Sequence, residues 1–309
     1  MCEPGSALVT AAAAAERFLL AGVLAVAVAS VAAPAPGRAM SGSNGIDIAL
    51  AVLVFATGVS LRRSDLAAAR SAGRRIALVL AVSTVALPAL AWAASQLIGD
   101  PVLRPGMLAA GVAPAEVATV ALCVIAGGEA AVCAALLAGS TLITVLTAGP
   151  ILSLLGAQAS VPAAELLGHL ALIVALPLAA GVALRAAWSP GPAADAVIRL
   201  ITVAALLVLL WQVASQIRLD AAYARAIAAL ACYLAGSVVL GRLLAIGTQP
   251  ARATSVLLPA ALRDFAIAAG IAAAAFGPAA AAPLGAYGVL VLLAGSAVPA
   301  ITRRRARRQ

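Results

Sequence analysis

The sequence has few charges, few aromatic residues, one histidine and no lysine, and each shortage excludes a class of protein. Charged residues make up 10% of the 309 positions and hydrophobic residues 64%, so we expect lipid rather than water to be the main solvent. All 20 basic residues are arginine, so the phosphate-binding loop ending in lysine that drives nucleotide-powered pumps is absent. A single histidine, His169, cannot build a His-Glu-x-x-His zinc site, and no Gly-x-Ser-x-Gly nucleophile elbow occurs. An enzyme is therefore not expected. An intramembrane enzyme is the main alternative function from another class, and the absence of these motifs argues against it.

Long apolar runs separated by short polar loops predict an all-α, polytopic membrane protein with about ten transmembrane helices. The runs are continuous rather than alternating, which argues against a membrane β-barrel. Abundant Ala, Gly and Ser would let these helices approach closely in lipid. The predicted spans are 17–33, 46–62, 76–97, 105–126, 129–155, 164–186, 197–217, 221–245, 253–276 and 280–301.

The distribution of arginine predicts the orientation. An even number of spans places both termini on one side, and the positive-inside rule places that side in the cytoplasm. The supporting arginines are concentrated in residues 62–75 and in the tail at 303–308. We interpret the basic tail as an anchor to anionic lipid rather than as a nucleic-acid site. The first apolar run is expected to stay as a helix, and the arginine-only, alanine-rich composition favours a bacterial cytoplasmic (inner) membrane.

The chain divides into two halves with a shared pattern. Residues 1–155 and residues 156–309, which include the Arg-rich tail, are predicted to form two inverted five-helix repeats in one membrane domain. The fourth apolar segment of each half contains a proline followed by charge: Pro114 then Glu116, and Pro259 then Arg263 and Asp264. A charge inside a span is costly and survives mainly where it faces a cavity, a partner or a substrate. We expect Pro114 and Pro259 each to break their segment, and the two broken, crossing helices to meet inside the bundle.

Several segments resemble the bile acid:sodium symporter family. They are residues 54–66 (VFATGVSLRRSDL), 111–119 (GVAPAEVAT), 126–133 (AGGEAAVC) and 140–142 (STL). Residues 264–277 (DFAIAAGIAAAAFG) resemble both that family and the related arsenite permeases. The resemblance identifies a divergent bacterial member of this superfamily. It implies ten helices, with two broken helices that cross beside two sodium sites and an organic-anion pocket.

The side chains depart from the family at its ion-binding positions. By the resemblance, the sodium ligands would fall on Thr119, Val120, Cys133, Leu137, Pro259, Arg263 and approximately Ser83. Valine, leucine and proline side chains offer no oxygen and arginine repels a cation, which leaves sodium coupling in doubt. Ala113 and Ala266 replace the cysteine and glutamate of the arsenite permeases, which argues against arsenite.

Three hypotheses remain for the buried charges. Arg263 could act as a tethered cation that neutralises Glu116 or Asp264, leaving a net charge that one proton could cancel. Arg263 could instead hold a substrate carboxylate in a bidentate manner, or the charges could form a purely structural ion pair. No cofactor or metal site is expected, and coupling to Na⁺ or H⁺ is left open. The candidate substrate- or ion-binding residues are Glu116, Thr119, Arg263, Asp264, Pro114, Pro259, Ser83 and Cys133.

Other polar residues are weaker candidates. His169 could relay protons or simply pack, and Gln212, Ser215 and Gln216 could line a pocket or lie at the interface. Glu129 and Asp65 are predicted to lie in cytoplasmic turns, either as solvated surface residues or as residues that start a helix. The predicted function is secondary transport of a small organic anion by alternating access. A passive channel or exporter and an arsenite-type efflux permease are alternatives, and the oligomeric state is open.

Overall fold

The computed structural model describes residues 4–41, 44–60, 73–156, 162–217 and 220–306. Within these ranges the secondary structure is helical, apart from turns, extended links and one isolated β-bridge. Six of the described helices are long and apolar enough to cross a membrane. The helical, multi-span class predicted from the sequence is therefore confirmed.

The described helices are numbered here in chain order. They are α1 Pro4–Arg17, α2 Leu19–Ala32, α3 Pro34–Met40, α4 Gly45–Ser60, α5 Gly73–Ser95, α6 Arg104–Val112, α7 Thr119–Ile125, α8 Ala130–Leu154, α9 Ala163–Leu170, α10 Leu176–Ala187, α11 Pro192–Ala214, α12 Ala221–Ala245, α13 Pro250–Ala261, α14 Phe265–Phe276 and α15 Pro278–Ala306. A π-helical turn, Ala171–Ala175, joins α9 to α10.

The long helices match six of the predicted spans: α5, α8, α9 with α10, α11, α12 and α15. The first two predicted spans are shorter in the structure. Helix α2 has 14 residues and is followed by α3 after a bend of 97°, and α4 has 16 residues. The exact arrangement of ten spans in two inverted repeats stays a prediction. Four residues that were predicted to lie in the cytoplasm fall outside the described ranges, namely Arg62, Arg63, Asp65 and Arg70.

The fourth and ninth predicted spans are each broken in two. Helix α6 ends at Val112 and α7 begins at Thr119, while α13 ends at Ala261 and α14 begins at Phe265. The expectation that Pro259 breaks its helix is wrong, because Pro259 lies inside α13. A proline in the last turn removes only its own N–H bond, and the amide of Leu262 still reaches the carbonyl of Leu258 at 2.9 Å.

Glycine allows two helices to pack with their backbones in contact. A Cβ atom on Gly181 of α10 would lie 2.3 Å from the carbonyl oxygen of Phe55, and one on Gly58 of α4 would lie 2.5 Å from that of Leu178. Such approaches are typical of helix packing in lipid, where small residues bring backbones together. The helices beside the broken segments are thereby held at a fixed distance.

Gly181→Ala should therefore destabilise the protein. The new methyl group would overlap backbone atoms of α4, and overpacking of this kind costs about 1–3 kcal/mol. We would measure the thermal midpoint of the purified protein in detergent. Gly168→Ala in α9 is the matched control, because a Cβ there meets nothing within 4 Å. Equal midpoints for the two variants would contradict the close packing of α4 and α10.

Candidate functional site

The two broken helices meet through their backbones. We call residues 113–118 and 262–264 the crossing ribbon. In it, Ala115 and Arg263 form an antiparallel β-bridge. The amide of Glu116 donates to the carbonyl of Leu262, and the amide of Asp264 donates to the carbonyl of Pro114, each at 2.9 Å. These bonds satisfy groups that a broken helix leaves unpaired in a medium without water. The breaks therefore do meet inside the bundle, as predicted.

Hydroxyl groups of neighbouring helices anchor the ribbon and the helix ends beside it. Ser140 Oγ of α8 accepts a hydrogen bond from the Ala115 amide at 3.0 Å. Thr144 donates to Val112 O at 2.9 Å, and Ser237 of α12 donates to Ala261 O at 2.7 Å. Sequence analysis did not select these three residues, because a hydroxyl in an apolar helix has the same local signature whether it bonds its own helix or another.

The ribbon separates the buried charges by sign. Opposed residues of an antiparallel pair share a face and successive residues alternate, so Arg263 lies on one face while Glu116 and Asp264 lie on the other. All three side chains are buried, with Glu116 and Asp264 each 1% exposed and Arg263 5% exposed. The site thus has a cationic face and an anionic face with two backbones between them.

Each charge is matched to a nearby helix end. Asp264 is the N-cap of α14, and its Oδ1 accepts from the Ile267 amide at 2.8 Å. Glu116 Oε1 lies 3.5 Å from the Ala118 amide, which donates to it. Arg263 Nη2 donates to Ala113 O, at the carbonyl end of α6. Anions near helix N-termini and cations near helix C-termini are both stabilised by the helix dipole.

The predicted ion pair between Arg263 and a carboxylate is not formed. Among the residues that the structure describes, the ion pairs within 4.0 Å join other side chains. The reason is geometric: the guanidinium and the carboxylates leave the ribbon on opposite faces. One polar atom of each group, namely Glu116 Oε2, Asp264 Oδ2 and Arg263 Nε, is buried without a hydrogen-bond partner in the described part of the chain.

A small cavity lies beside Arg263. Its volume is about 20 Å³, and its lining includes Ser83, Ser140, Thr144 and Pro259. A second cavity of about 10 Å³ lies against Val117 and Ile267. A cavity needs roughly 10–15 Å³ to hold one water molecule, so each cavity holds little more than one small group in this conformation.

A transporter family model matches residues 16–293, the part of the chain that contains this site. The chain belongs to the SBF-like CPA transporter family. No curated protein matches it. Membership confirms the resemblance to bile acid:sodium symporters and, with the long apolar helices, makes the chain a multi-pass membrane transporter. A transporter of this family is expected to act on a small molecule.

The residues predicted from the family pattern cluster around the crossing ribbon. Thr119 begins α7 and donates to Glu116 O, and the Cys133 thiol donates to Thr119 O at 3.3 Å. Pro114 lies in the ribbon itself. These contacts are structural in this conformation, since the hydroxyl of Thr119 and the thiol of Cys133 both bond to the backbone.

The cavity beside Arg263 does not suit sodium. No carboxylate lines it, and Pro259 and Arg263 stand where the family resemblance places oxygen ligands. A hard cation needs several oxygen ligands, and a guanidinium repels it.

The weaker candidates lie elsewhere. His169 Nε2 lies 3.4 Å from Asp47 Oδ1, at the contact of α9 and α4. Gln212 Nε2 donates to Met40 O at 3.2 Å, and the Ser215 carbonyl accepts from Arg38 Nε at 2.9 Å. These polar groups attach α3 to α11 rather than line the crossing.

Glu129 lies at the start of α8, one of the two places that the sequence predicted for it, and it also has partners in α13. Its carboxylate accepts hydrogen bonds from Nε and Nη2 of Arg252, each at 3.1 Å. The Glu129 amide donates to Ser255 Oγ at 2.6 Å. Glu129 precedes α8 and Arg252 lies in α13, so this link ties the end of the first broken helix to the start of the second. Sequence analysis missed it because the partners lie far apart along the chain.

Ser140→Ala should destabilise the crossing. It removes the acceptor of the buried Ala115 amide, and an unsatisfied buried donor costs about 1–3 kcal/mol. We would compare denaturant unfolding in mixed micelles with that of Ser153→Ala, in the same helix, where the hydroxyl bonds only to Gly149 O. A loss no larger for Ser140→Ala than for this control would show that Ser140 does not support the ribbon.

The link between Glu129 and Arg252 should contribute modestly. The two side chains are 32% and 39% exposed, so a double-mutant cycle with Glu129→Gln and Arg252→Gln should give a coupling energy of about 0.5–1 kcal/mol that falls with added salt. The control cycle uses Glu165→Gln in place of Glu129→Gln. Equal coupling in the two cycles would mean that the link contributes nothing specific.

Proposed function

We propose that this protein is a secondary transporter that moves a small organic anion across the cytoplasmic membrane by alternating access. The observation that carries the proposal is the crossing ribbon, in which two broken helices bring three buried charges to one point. Interrupted helices whose ends meet inside a membrane bundle form the binding sites of secondary transporters. Ionisable residues buried among apolar helices are costly and typically functional.

The proposal includes the inverted arrangement predicted from the sequence. Residues 1–155 and 156–309 form the two five-helix repeats, α2 and α4 each cross the membrane, each broken helix counts as one span, and both termini face the cytoplasm. The antiparallel pairing of the two breaks supports this view. Segments related by a twofold axis in the membrane plane approach each other in opposite directions, as Pro114 opposite Asp264 and Glu116 opposite Leu262 do.

A proton is the proposed coupling ion. Glu116 and Asp264 lie on the same face of the ribbon, and each has one oxygen without a hydrogen-bond partner. An ionised carboxylate in this setting is destabilising unless something compensates it. A proton bound to one of the two would remove part of that charge in one state of the transport cycle. Arg263, on the other face, supplies a fixed positive charge where relatives are expected to bind sodium.

Alternating access supplies the opening that a substrate needs. The cavity beside Arg263 has room for one small group only, so a larger organic acid needs a wider opening than this conformation offers. Rocking of one group of helices against the other would expose the crossing to each side in turn. The crossing itself is held by backbone bonds and by hydroxyls of α8 and α12, so it is suited to remain intact while helices around it move.

Uptake by purified protein in proteoliposomes tests the proposal. A panel of labelled organic acids would be tested with and without a pH gradient. Faster uptake into vesicles that already contain the unlabelled organic acid would indicate exchange, which separates a carrier from a channel. We expect Arg263→Ala and Glu116→Gln to reduce uptake by at least roughly tenfold, because each removes a buried charge from the site. Arg242→Ala and Glu165→Gln, at exposed positions, are the charge-matched controls. Wild-type rates in both site variants would refute the assignment.

A further inference from the structure

Two residues that line the same cavity each carry a buried polar atom that has no hydrogen-bond partner among the described residues. Arg263 Nε and Ser83 Oγ have no hydrogen-bond partner in the described part of the chain, and both residues line the cavity of about 20 Å³. Arg263 is 5% exposed and Ser83 is 6% exposed. Buried polar groups are nearly always satisfied, so two unsatisfied groups at one cavity indicate that something polar occupies it.

The charge of the lining identifies the kind of occupant. Among the described residues that line the cavity, Arg263 is the one that carries a charge. The carboxylates of Glu116 and Asp264 leave the ribbon on the other face. The two unsatisfied groups can both donate, through the guanidinium N–H and the serine O–H. A cation would meet a positive charge and no carboxylate, whereas an anion would meet a positive charge and two donors.

The remaining polar groups of the cavity leave Ser83 as the free hydroxyl. Among the described lining residues, Thr84, Ser140, Thr144 and Thr147 also carry hydroxyls, but each donates its proton to a helix carbonyl, at 2.7, 2.9, 2.9 and 2.8 Å respectively. The rest of the lining is mainly aliphatic, including Val79, Leu136 and Ile143. Low polarity around a guanidinium strengthens its interaction with a single negative group.

We propose that this cavity is an anion subsite, in which Arg263 and Ser83 bind one small negatively charged group. The inference rests on the proposed function in one respect: the group is taken to be the carboxylate of the transported substrate. A small inorganic monoanion such as chloride offers the same chemistry and would fill the same space. Substrate charge and coupling proton would then occupy opposite faces of the crossing ribbon.

Thermal stabilisation of the full chain in detergent tests the subsite. The probes are the sodium salts of chloride, formate and acetate, each titrated against gluconate at constant ionic strength. A ligand that binds the folded state raises the midpoint, and the rise grows with the logarithm of the ligand concentration relative to its Kd. We expect stabilisation by the small anions and not by gluconate. Stabilisation by formate and acetate alone would identify a carboxylate site, and stabilisation by chloride as well would identify a general monoanion site.

Ser83→Ala is the decisive variant. Because the hydroxyl has no protein partner to lose, the midpoint without small anions should not fall, while the apparent Kd should rise roughly tenfold, as expected for a lost hydrogen bond to a charged group. Arg263→Gln should abolish the response. Ser95→Ala, a buried serine of the same helix outside the cavity, should respond like wild type.

Either of two results of the thermal experiment would overturn the proposal. The first is no stabilisation of the wild type by any small anion, which would mean that the cavity holds only water. The second is an equal response in wild type and Ser83→Ala, which would mark a general salt effect. Failure of the transport proposal looks different. Organic-acid uptake that is unchanged in Ser83→Ala would refute the subsite alone, whereas Ser83-dependent chloride binding without uptake of any acid would refute organic-anion transport alone.

Discussion

Two backbone hydrogen bonds hold the centre of this molecule together. The amides of Glu116 and Asp264 bond to carbonyls of the opposite broken helix, so each interruption supplies what the other lacks. In lipid no water is available for this purpose, and an unpaired backbone group there costs several kcal/mol, on the order of the penalty for any buried polar group. The hydroxyl anchors from α8 and α12 and the capping charges are arranged around this pairing.

The pairing also decides where charge can lie. Because successive residues of an extended segment point to opposite sides, Arg263 and Asp264 are neighbours in sequence but are separated by the ribbon in space. Each then meets a helix end rather than the other: the guanidinium bonds to the carbonyl end of α6, and the carboxylate caps α14. The separation leaves two chemically distinct faces available to a transporter.

Sequence reasoning succeeded where the determinants are local. Hydropathy predicted the six long helices, and a proline in each fourth apolar segment predicted two broken spans that meet. It failed where a partner lies far along the chain. The hypothesis of an ion pair at Arg263 did not include the opposite directions in which the charged side chains leave the ribbon. The break predicted at Pro259 did not include the pairing of the two segments, beside which α13 ends at Ala261. The role of Ser140 depends on an amide 25 residues away.

A joint made by backbone atoms places few demands on side chains. The crossing needs an amide at positions 116 and 264, which only proline lacks, and a carbonyl at positions 114 and 262, which every residue has. Residues that bind ions in one lineage can therefore be exchanged for others without loss of the architecture. Arg263 shows what such a joint tolerates, because a long charged side chain leaves the ribbon there while the backbone pairing on either side of it stays complete.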